Sequence, residues 1–594
     1  MMRVLTVRGF GATLLAIGLL CPPSSDAKVA ENAVRTIKAP KRVSIKAGAV
    51  SVSRAPTAAP IGRTQAPTVC RGKMTSAKAR RLLAQPSGSL SYGKTSRGRL
   101  VRGSRIALSG NGYRFFPHIR ERGTHYGTDE MKAWLPRLGQ RVKQRVRNSP
   151  DLAIGNVSLR HGGRSQWHVS HQAGRDVDLC MYAIDKETKK PAVLDNFVKF
   201  NWRGGSWDGK LKFDARRNME LVRAMVEDEQ VSVQWVFVAR WLKRRILAAA
   251  RANTVPAPII ARMAEVMRQP SDSAPHNDHF HVRIYCSHQD RKYGCVMREP
   301  HREWADLGEE TFQEHVQALT RVLDLSNARL RRRAVSMLGM IRAASAVGPL
   351  AERLIDPDTA VRKAAMNALL NIAAPESGAP ILAQLEHIKS AAWAVSVFNL
   401  YRTVRPPDLT RVAHVVVKAP GTLLHDSVRA TALPRFHVVA AEIFEEHGRQ
   451  HAVPTLIGLL RSKTPAVRKA AHKALLYVTN QRTAPRNARS RWAKFYKINK
   501  GGTWLSWMRR GFSTWGVRLK AGRLGDADVP KLIRALRHRS KVVRRNAERV
   551  LTALTGHEIS DGYRRKLRNQ RNVARHWRYW WKRHLRRLRR QRKG

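Results

Sequence analysis

Two stretches of the chain concentrate residues able to do chemistry: "HVSHQAGRDVDLCMY" over 168–182 and "PHNDHFHVRIYC" over 275–286. The first holds His168, His171, Asp176 and Asp178; the second holds His276, His279 and His281. Imidazoles and carboxylates are the groups that bind divalent zinc and that move protons near neutral pH. Read as a strand, the first stretch puts Asp176, Asp178, Cys180 and Tyr182 on one face and Val177, Leu179 and Met181 on the other. The same alternation sets His279, His281 and Arg283 opposite Phe280, Val282 and Ile284. If the strands are neighbours, two histidines and a carboxylate converge, with a third histidine beside them. Two neutral imidazoles and one carboxylate suit Zn2+ with a position left open to water, the ligand count of a hydrolytic centre and not of a closed structural one. Each piece alone has a plainer reading, a solvated strand edge or a salt bridge. Together they point to metal-assisted hydrolysis.

The elements that must position these groups follow from texture. Residues 89–300 alternate glycine-containing turns, short strands and a few helices, which predicts an α+β domain with a small mixed or antiparallel sheet. Beyond about 301 the chain turns helical and repetitive. "LRRRAVSMLGMI" (330–341), "VRKAAMNALLNI" (361–372), "VRKAAHKALLYV" (467–478) and "VRRNAERVLTAL" (543–554) share one pattern, with "DSVRATAL" (426–433) as a weaker copy. Apolar helices such as "HAVPTLIGLLRS" and "ADVPKLIRALRH" come before them, so helix pairs stacked into an all-α, HEAT-like solenoid are expected over 301–558. A tryptophan-rich basic insertion lies near 485–520, and residues 559–594 predict a basic helix with Trp577, Trp581, Leu585 and Leu588 at helical spacing. The tryptophans of that helix either cap the solenoid core or face an anionic surface; the sequence leaves both open.

Charge and processing signals limit the function classes. The chain has 594 residues and a formal net charge of +68, so its partners are polyanions: nucleic acid, anionic lipid or an acidic wall polymer. Arg3 and Arg8 precede the apolar run "FGATLLAIGLLC", and Ala27 offers a small residue for cleavage, which reads as a signal peptide over 1–27. The run is shorter than the roughly 20 residues needed to span a bilayer. Export to the periplasm argues against nucleic acid as the partner. Residues 28–88 are rich in Ala, Pro, Ser, Lys and Arg and predict a disordered basic linker. In an oxidising compartment Cys286 and Cys295, which bracket "CSHQDRKYGC", form the preferred disulfide, leaving Cys70 and Cys180.

"SHQAGRDVD" followed by "HNDHFHVR", with "IGNVSLRHGG" ahead of them, resembles the penicillin-insensitive murein endopeptidases, a branch of the lysostaphin and D-Ala-D-Ala metallopeptidase group, over roughly residues 89–300. That resemblance implies zinc held by His171, Asp178 and His281. It also implies a catalytic His279, with His168 and His276 around the cleft and Asp176 orienting a ligand. The implied activity is hydrolysis of peptidoglycan cross-links between D-alanine and meso-diaminopimelate. A zinc D,D-carboxypeptidase and an inactive binder of the wall or another anionic polymer are the alternatives. The solenoid offers a surface for targeting or for a protein partner, and the basic regions one for an anionic membrane or wall polymer.

Overall fold

The computed structural model describes residues 73–270, 274–297, 299–482, 488–520, 522–559, 567 and 569–591. The expected signal peptide and most of the expected linker, Cys70 included, lie outside these residues. The described chain forms two compact units, 74–388 with 396–407 and 389–395 with 408–594; the expected boundary near 300 falls inside the first.

The first unit begins with a correction. Residues 73–88 were expected to be linker, yet Ser76–Leu82 form a helix, α1, capped by Thr75, whose hydroxyl accepts from Lys78 N. Ala79 and Leu83 are buried, and Arg333 donates to Leu83 O at 3.0 Å. Burial of these two side chains, with hydrogen bonds from Arg333 to Leu83 O and from Tyr293 to Ala84 O, anchors a segment whose composition is otherwise that of a linker.

A hairpin of β1 (Leu90–Lys94) and β2 (Arg97–Val101) comes next, and then the central sheet. Its strands are β3 (Ser109–Gly110), β4 (Tyr113–Phe115), β5 (Leu152–Ile154), β6 (Asp176–Cys180), β7 (Val233–Phe237), β8 (Met267–Arg268) and β9 (His279–Ile284), in the spatial order β8-β7-β9-β6-β5-β4-β3. The sheet is mixed: β4/β5 and β7/β8 are parallel, the other pairs antiparallel. One face is covered by α2 (Asp129–Arg145) and α3 (Ala215–Val226), with α4 (Arg240–Ala252) and α5 (Ala257–Val266) nearby. In α2 the apolar positions Met131, Trp134, Leu135, Leu138 and Val142 recur at helical spacing, Thr128 caps the start, and acidic residues open while basic residues close the helix. They pack with Val177 and Leu179 of β6 and Phe280 and Val282 of β9 in one core. The alternate positions of β6 and β9 are thereby committed to the opposite face.

The later part of this unit is helical: α6 (Glu309–Val322), α7 (Ala328–Met340), α8 (Val347–Glu352) and α9 (Thr359–Ile372). Gly339 of α7 lies against α9 so closely that a Cβ there would meet Ala368 Cα at 2.4 Å, which explains a glycine inside a helix. The helices of the second unit include α10 (Asp426–His447), α11 (Val453–Leu459), α12 (Pro465–Thr479), α13 (Trp504–Thr514), α14 (Val529–Ala535), α15 (Lys541–Thr555) and α16 (Gln570–Gln591).

The recurring arginine of the sequence pattern has a structural cause. Arg331, Arg362, Arg468 and Arg544 each donate through Nη1 to the carbonyls five and six residues back. Each therefore clasps the turn that precedes its own helix and satisfies carbonyls the preceding helix end leaves without partners.

Both tryptophan-rich segments are core. Trp492, Trp507 and Trp577 are fully buried, and Trp504, Trp577 and Trp581 share a cluster with Leu532, Leu536, Val550 and Leu551. Of the two readings left open for the C-terminal helix, the apolar stripe packs inward. Arg571, Arg575, Arg578, Lys582, Arg583 and Arg586 stay exposed. The side chain of Leu588 lies outside the described set. Among the described residues no helix is long and apolar enough to cross a membrane.

Candidate functional site

Strands β6 and β9 are antiparallel neighbours with His281 opposite Asp178, Arg283 opposite Asp176 and His279 opposite Cys180. This register turns the period-2 pattern into a cluster. His171 reaches it from the loop before β6, where its backbone sits in the left-handed region at φ 65°. Three residues on, Gly174 (φ 72°) makes a turn in which a Cβ would strike Leu100 at 2.8 Å. Arg175, fully buried, then bonds Ser91 Oγ and Ile284 O, tying hairpin, β6 and β9 together. Burial lowers its pKa to about 10.

The centre is a triangle of three atoms. His171 Nε2 is 3.2 Å from Asp178 Oδ1, His281 Nδ1 is 3.2 Å from the same oxygen, and the two nitrogens are 3.3 Å apart. His171 Nδ1 lies 2.7 Å from Val157 O; a carbonyl only accepts, so the proton is on Nδ1 and Nε2 presents a lone pair. His281 Nε2 faces Asp176 Oδ2 at 3.5 Å, which likewise leaves Nδ1 turned to the centre. Asp178 is fully buried, and the neighbours of its two carboxylate oxygens are the imidazole nitrogens of His168, His171, His279 and His281 at 3.2–3.5 Å, none in a well-directed hydrogen bond. Lone pairs of two imidazoles and a carboxylate thus converge in a buried place, which is unfavourable unless a cation lies among them. A tetrahedral ion with bonds of about 2.0–2.1 Å has ligand edges of about 3.3–3.4 Å, so the donor set fits a metal of that kind.

Electrostatics agree with the geometry. Burial opposes ionisation of Asp178, but the surrounding histidines outweigh it and hold the carboxyl well below the usual range. For Asp176 burial is again outweighed, chiefly by the Arg283 guanidinium. Burial alone would lower His281, yet its hydrogen bonds and charge contacts with Asp176 and Asp178 push it up to about 9. The site therefore attracts positive charge.

The remaining expected residues surround this triangle. His279 Nε2 is 3.5 Å from Asp178 Oδ1, and its ring stacks on Phe197 at 4.7 Å. Its Nδ1 lies 2.8 Å from Asp278 Oδ1, within ion-pair reach although off the hydrogen-bond direction. His168 Nε2 is 3.4 Å from Asp178 Oδ2 but accepts from Asn156 Nδ2 at 2.8 Å, Asn156 being oriented by Thr124. That lone pair is in use. Burial lowers His168 to about 4, and does the same for His276, whose Nδ1 donates to Ala274 O at 2.8 Å. Ligand atoms of His168, His171 and Asp178 form one group within 4.8 Å, and those of His276, His279 and His281 another. The triangle that spans the two groups is the tightest arrangement, and its donors are the ones left unused by neighbours. Asp176 accepts from Arg283 at 2.7 and 2.9 Å and from His171 N at 3.2 Å, so it steadies both histidines of the triangle.

Sequence reasoning missed Asn156, Phe197, Asp278 and the Val157 carbonyl. Only Asp278 had a signal, its position directly before His279 in "HNDHFH". Below the site Cys286 and Cys295 are disulfide-bonded, as expected, and Cys180 is a free buried thiol pushed up to about 12 by burial.

Two parts of the chain are similar to known families. Residues 91–327 match the family model described as penicillin-insensitive murein endopeptidase, and residues 316–394 match that of HEAT repeats. A relative from Haemophilus influenzae (strain ATCC 51907 / DSM 11121 / KW20 / Rd), named penicillin-insensitive murein endopeptidase, is 24% identical over 249 residues, 40% of this chain and 77% of the relative. Among solved structures, one engineered protein is 14% identical over 57% of this chain and 85% of its own, with a TM-score of 0.19. A second is 16% identical over 41% and 99%, with a TM-score of 0.17. Scores this low carry no argument about the fold. The mixed-sheet part of the chain is thus similar to the penicillin-insensitive murein endopeptidases and the helices that follow it to HEAT repeats.

Proposed function

We propose that the chain is a zinc-dependent peptidoglycan endopeptidase, acting in the periplasm on peptide cross-links between D-alanine and meso-diaminopimelate. The observation that carries this reading is the triangle of His171 Nε2, Asp178 Oδ1 and His281 Nδ1, with edges of 3.2, 3.2 and 3.3 Å. Bound by these three residues, zinc supplies Lewis acidity toward the amide carbonyl and lowers the pKa of a water toward about 7. Asp176 and the Val157 carbonyl fix the two imidazoles in the tautomers that leave the inner nitrogens free to bind. His279, stacked on Phe197 and backed by Asp278, is the proton carrier: its Nε2 takes a proton from the attacking water and delivers it to the departing amine. His168 and His276, kept neutral by burial, line the cleft.

In this reading residues 1–27 export the chain, the basic stretch expected over 28–88 tethers the enzyme, and the helices beyond about 300 target it or bind a protein partner. The positive charge concentrates the enzyme on an acidic wall polymer. The test is digestion of purified sacculi by the mature protein, with chelator and zinc add-back, resolving products by chromatography and mass. Conversion of cross-linked dimers to monomers, abolished by chelator and by His171→Ala, is expected. Release of D-alanine alone would replace the endopeptidase with a carboxypeptidase, and unchanged sacculi from zinc-loaded protein would leave a binding role.

A further inference from the structure

A groove of about 970 Å³ runs between the β1–β2 hairpin and the loop 163–172, and His168 lies in its wall. His168 Nε2 is 3.4 Å from Asp178 Oδ2, so this one side chain stands between the groove and the metal-ligand triangle. Its chemistry is one-sided. Arg97, Arg99 and Arg164 line it and are exposed, no acidic residue lines it, and no ion pair within the described residues involves any of the three. Arg99 is held over the Tyr92 ring at 4.6 Å, and Trp167, 37% exposed, offers a flat apolar surface. The walls are built in advance: Gln172 N donates to Thr95 O, Leu100 N to His161 O and Gly163 N to Gln172 O, so hairpin and loop are joined by backbone bonds.

Three guanidiniums without carboxylate partners, around a groove large enough for several residues of extended chain, make a receptor for an anionic peptide. We infer that this groove holds a carboxylate-bearing arm of the cross-linked peptide, and that Arg97 and Arg164 are specificity-determining residues that pair with its free carboxylates. The inference rests on the peptidase reading for the identity of the peptide and on the groove itself for its charge. It predicts discrimination between wall peptides whose carboxyls are free and those whose carboxyls are amidated.

The experiment measures calorimetric binding of a free-acid stem tetrapeptide and of its amidated counterpart to the full chain and to the Arg97→Gln/Arg164→Gln variant. Zinc content and circular dichroism are checked on both proteins, and KM is measured on cross-linked dimers of each kind. The unmodified protein should prefer the free acid by on the order of tenfold, about the effect of one charge-assisted pair, and the preference should weaken with salt. In the variant both affinities should converge on the amidated value, with KM for the free-acid dimer rising about as much and zinc content retained. Equal affinity of the unmodified protein for both peptides, binding of neither, or a preference that survives in the variant overturns the inference. Selective binding without cleavage of dimers would keep the groove and overturn the peptidase reading; cleavage indifferent to amidation would do the reverse.

Discussion

Asp176→Asn separates holding the metal ligands from being one. Asp176 is fully buried and takes part in four contacts: Arg283 Nε at 2.7 Å, Arg283 Nη2 at 2.9 Å, His171 N at 3.2 Å and His281 Nε2 at 3.5 Å. An asparagine has the same shape but one acceptor. Placed on the Oδ2 side, its amide would oppose three donors; placed on the Oδ1 side it opposes only Arg283 Nε, so it turns that way and keeps its oxygen on the two histidines. The ligand positions survive, while the negative charge that steadies them and pairs with Arg283 does not. Loss of such an orienting partner weakens metal binding by about 10–100-fold, or roughly 1.4–2.7 kcal/mol. Leaving the Arg283 side chain, about one-fifth exposed, without its carboxylate costs about 3 kcal/mol of stability. Zinc affinity is read by competition with a chromophoric chelator and stability by thermal melting, with Asp178→Asn in parallel. Asp178→Asn should lose zinc far more completely, because it removes a vertex of the triangle. Zinc affinity of Asp176→Asn equal to that of the unmodified protein would refute the reasoning, as would equal losses in the two variants.

Other outcomes follow from the same geometry. His279→Ala should retain zinc but lose turnover by about 10²–10⁴-fold; retained turnover would remove its catalytic role. In the helical array Asp356 makes a two-pronged pair with Arg331 at 2.8 and 2.9 Å. Burial works against its ionisation, but the Arg331 hydrogen bond and charge outweigh it and hold the folded-state pKa below 3.8, so the stabilisation is present above that pH and disappears as pH falls through the lower folded value. Asp356→Asn should cost about 3 kcal/mol near neutral pH, and the gap between its melting curve and that of the unmodified protein should narrow as pH falls from 3.8 toward the lower folded value; a gap that does not narrow on acidification would contradict the pairing. Trp577→Ala removes a fully buried side chain and should cost about 3–5 kcal/mol, with protease cutting first near the C-terminal helix, whereas Arg578→Ala should stay within about 0.5 kcal/mol.

What could be read from the sequence was what repeats with a short period. Alternation in "DVDLC" and "HFHVRI" separated the core face of β6 and β9 from the chemical face, and their shared residue types implied that the strands meet. The register that sets His281 against Asp178 had no local signature, since a two-residue slip preserves both faces. Nor did the groups that fix the imidazoles: Val157 acts through its carbonyl, which every residue has, and Asn156 and Phe197 arrive from loops far along the chain. Helical spacing located Trp577 and Trp581 on one stripe but could not say what covers it, because that depends on α14 and α15, themselves brought near only by folding. The segment 76–82 was missed for the opposite reason: its composition is that of a linker, and what holds it comes from elsewhere in the chain, Arg333 on Leu83 O and Tyr293 on Ala84 O, with Ala79 and Leu83 buried.

The arginine clasps of the helical array have a consequence for how such an array can change. Each Nη1 reaches carbonyls five and six residues earlier, so the bend it stabilises is specified within one repeat, whatever else the guanidinium binds. A repeat can then be gained, lost or separated from the next by a foreign helix without resetting the bends on either side. The tryptophan-bearing α13, lying in sequence between the clasped helices α12 and α15, is such an interruption: its side chains joined the core, and the clasp of Arg544 beyond it is the same as that of Arg468 before it. Local closure makes the length of the array an evolvable quantity, adjustable by duplication one repeat at a time.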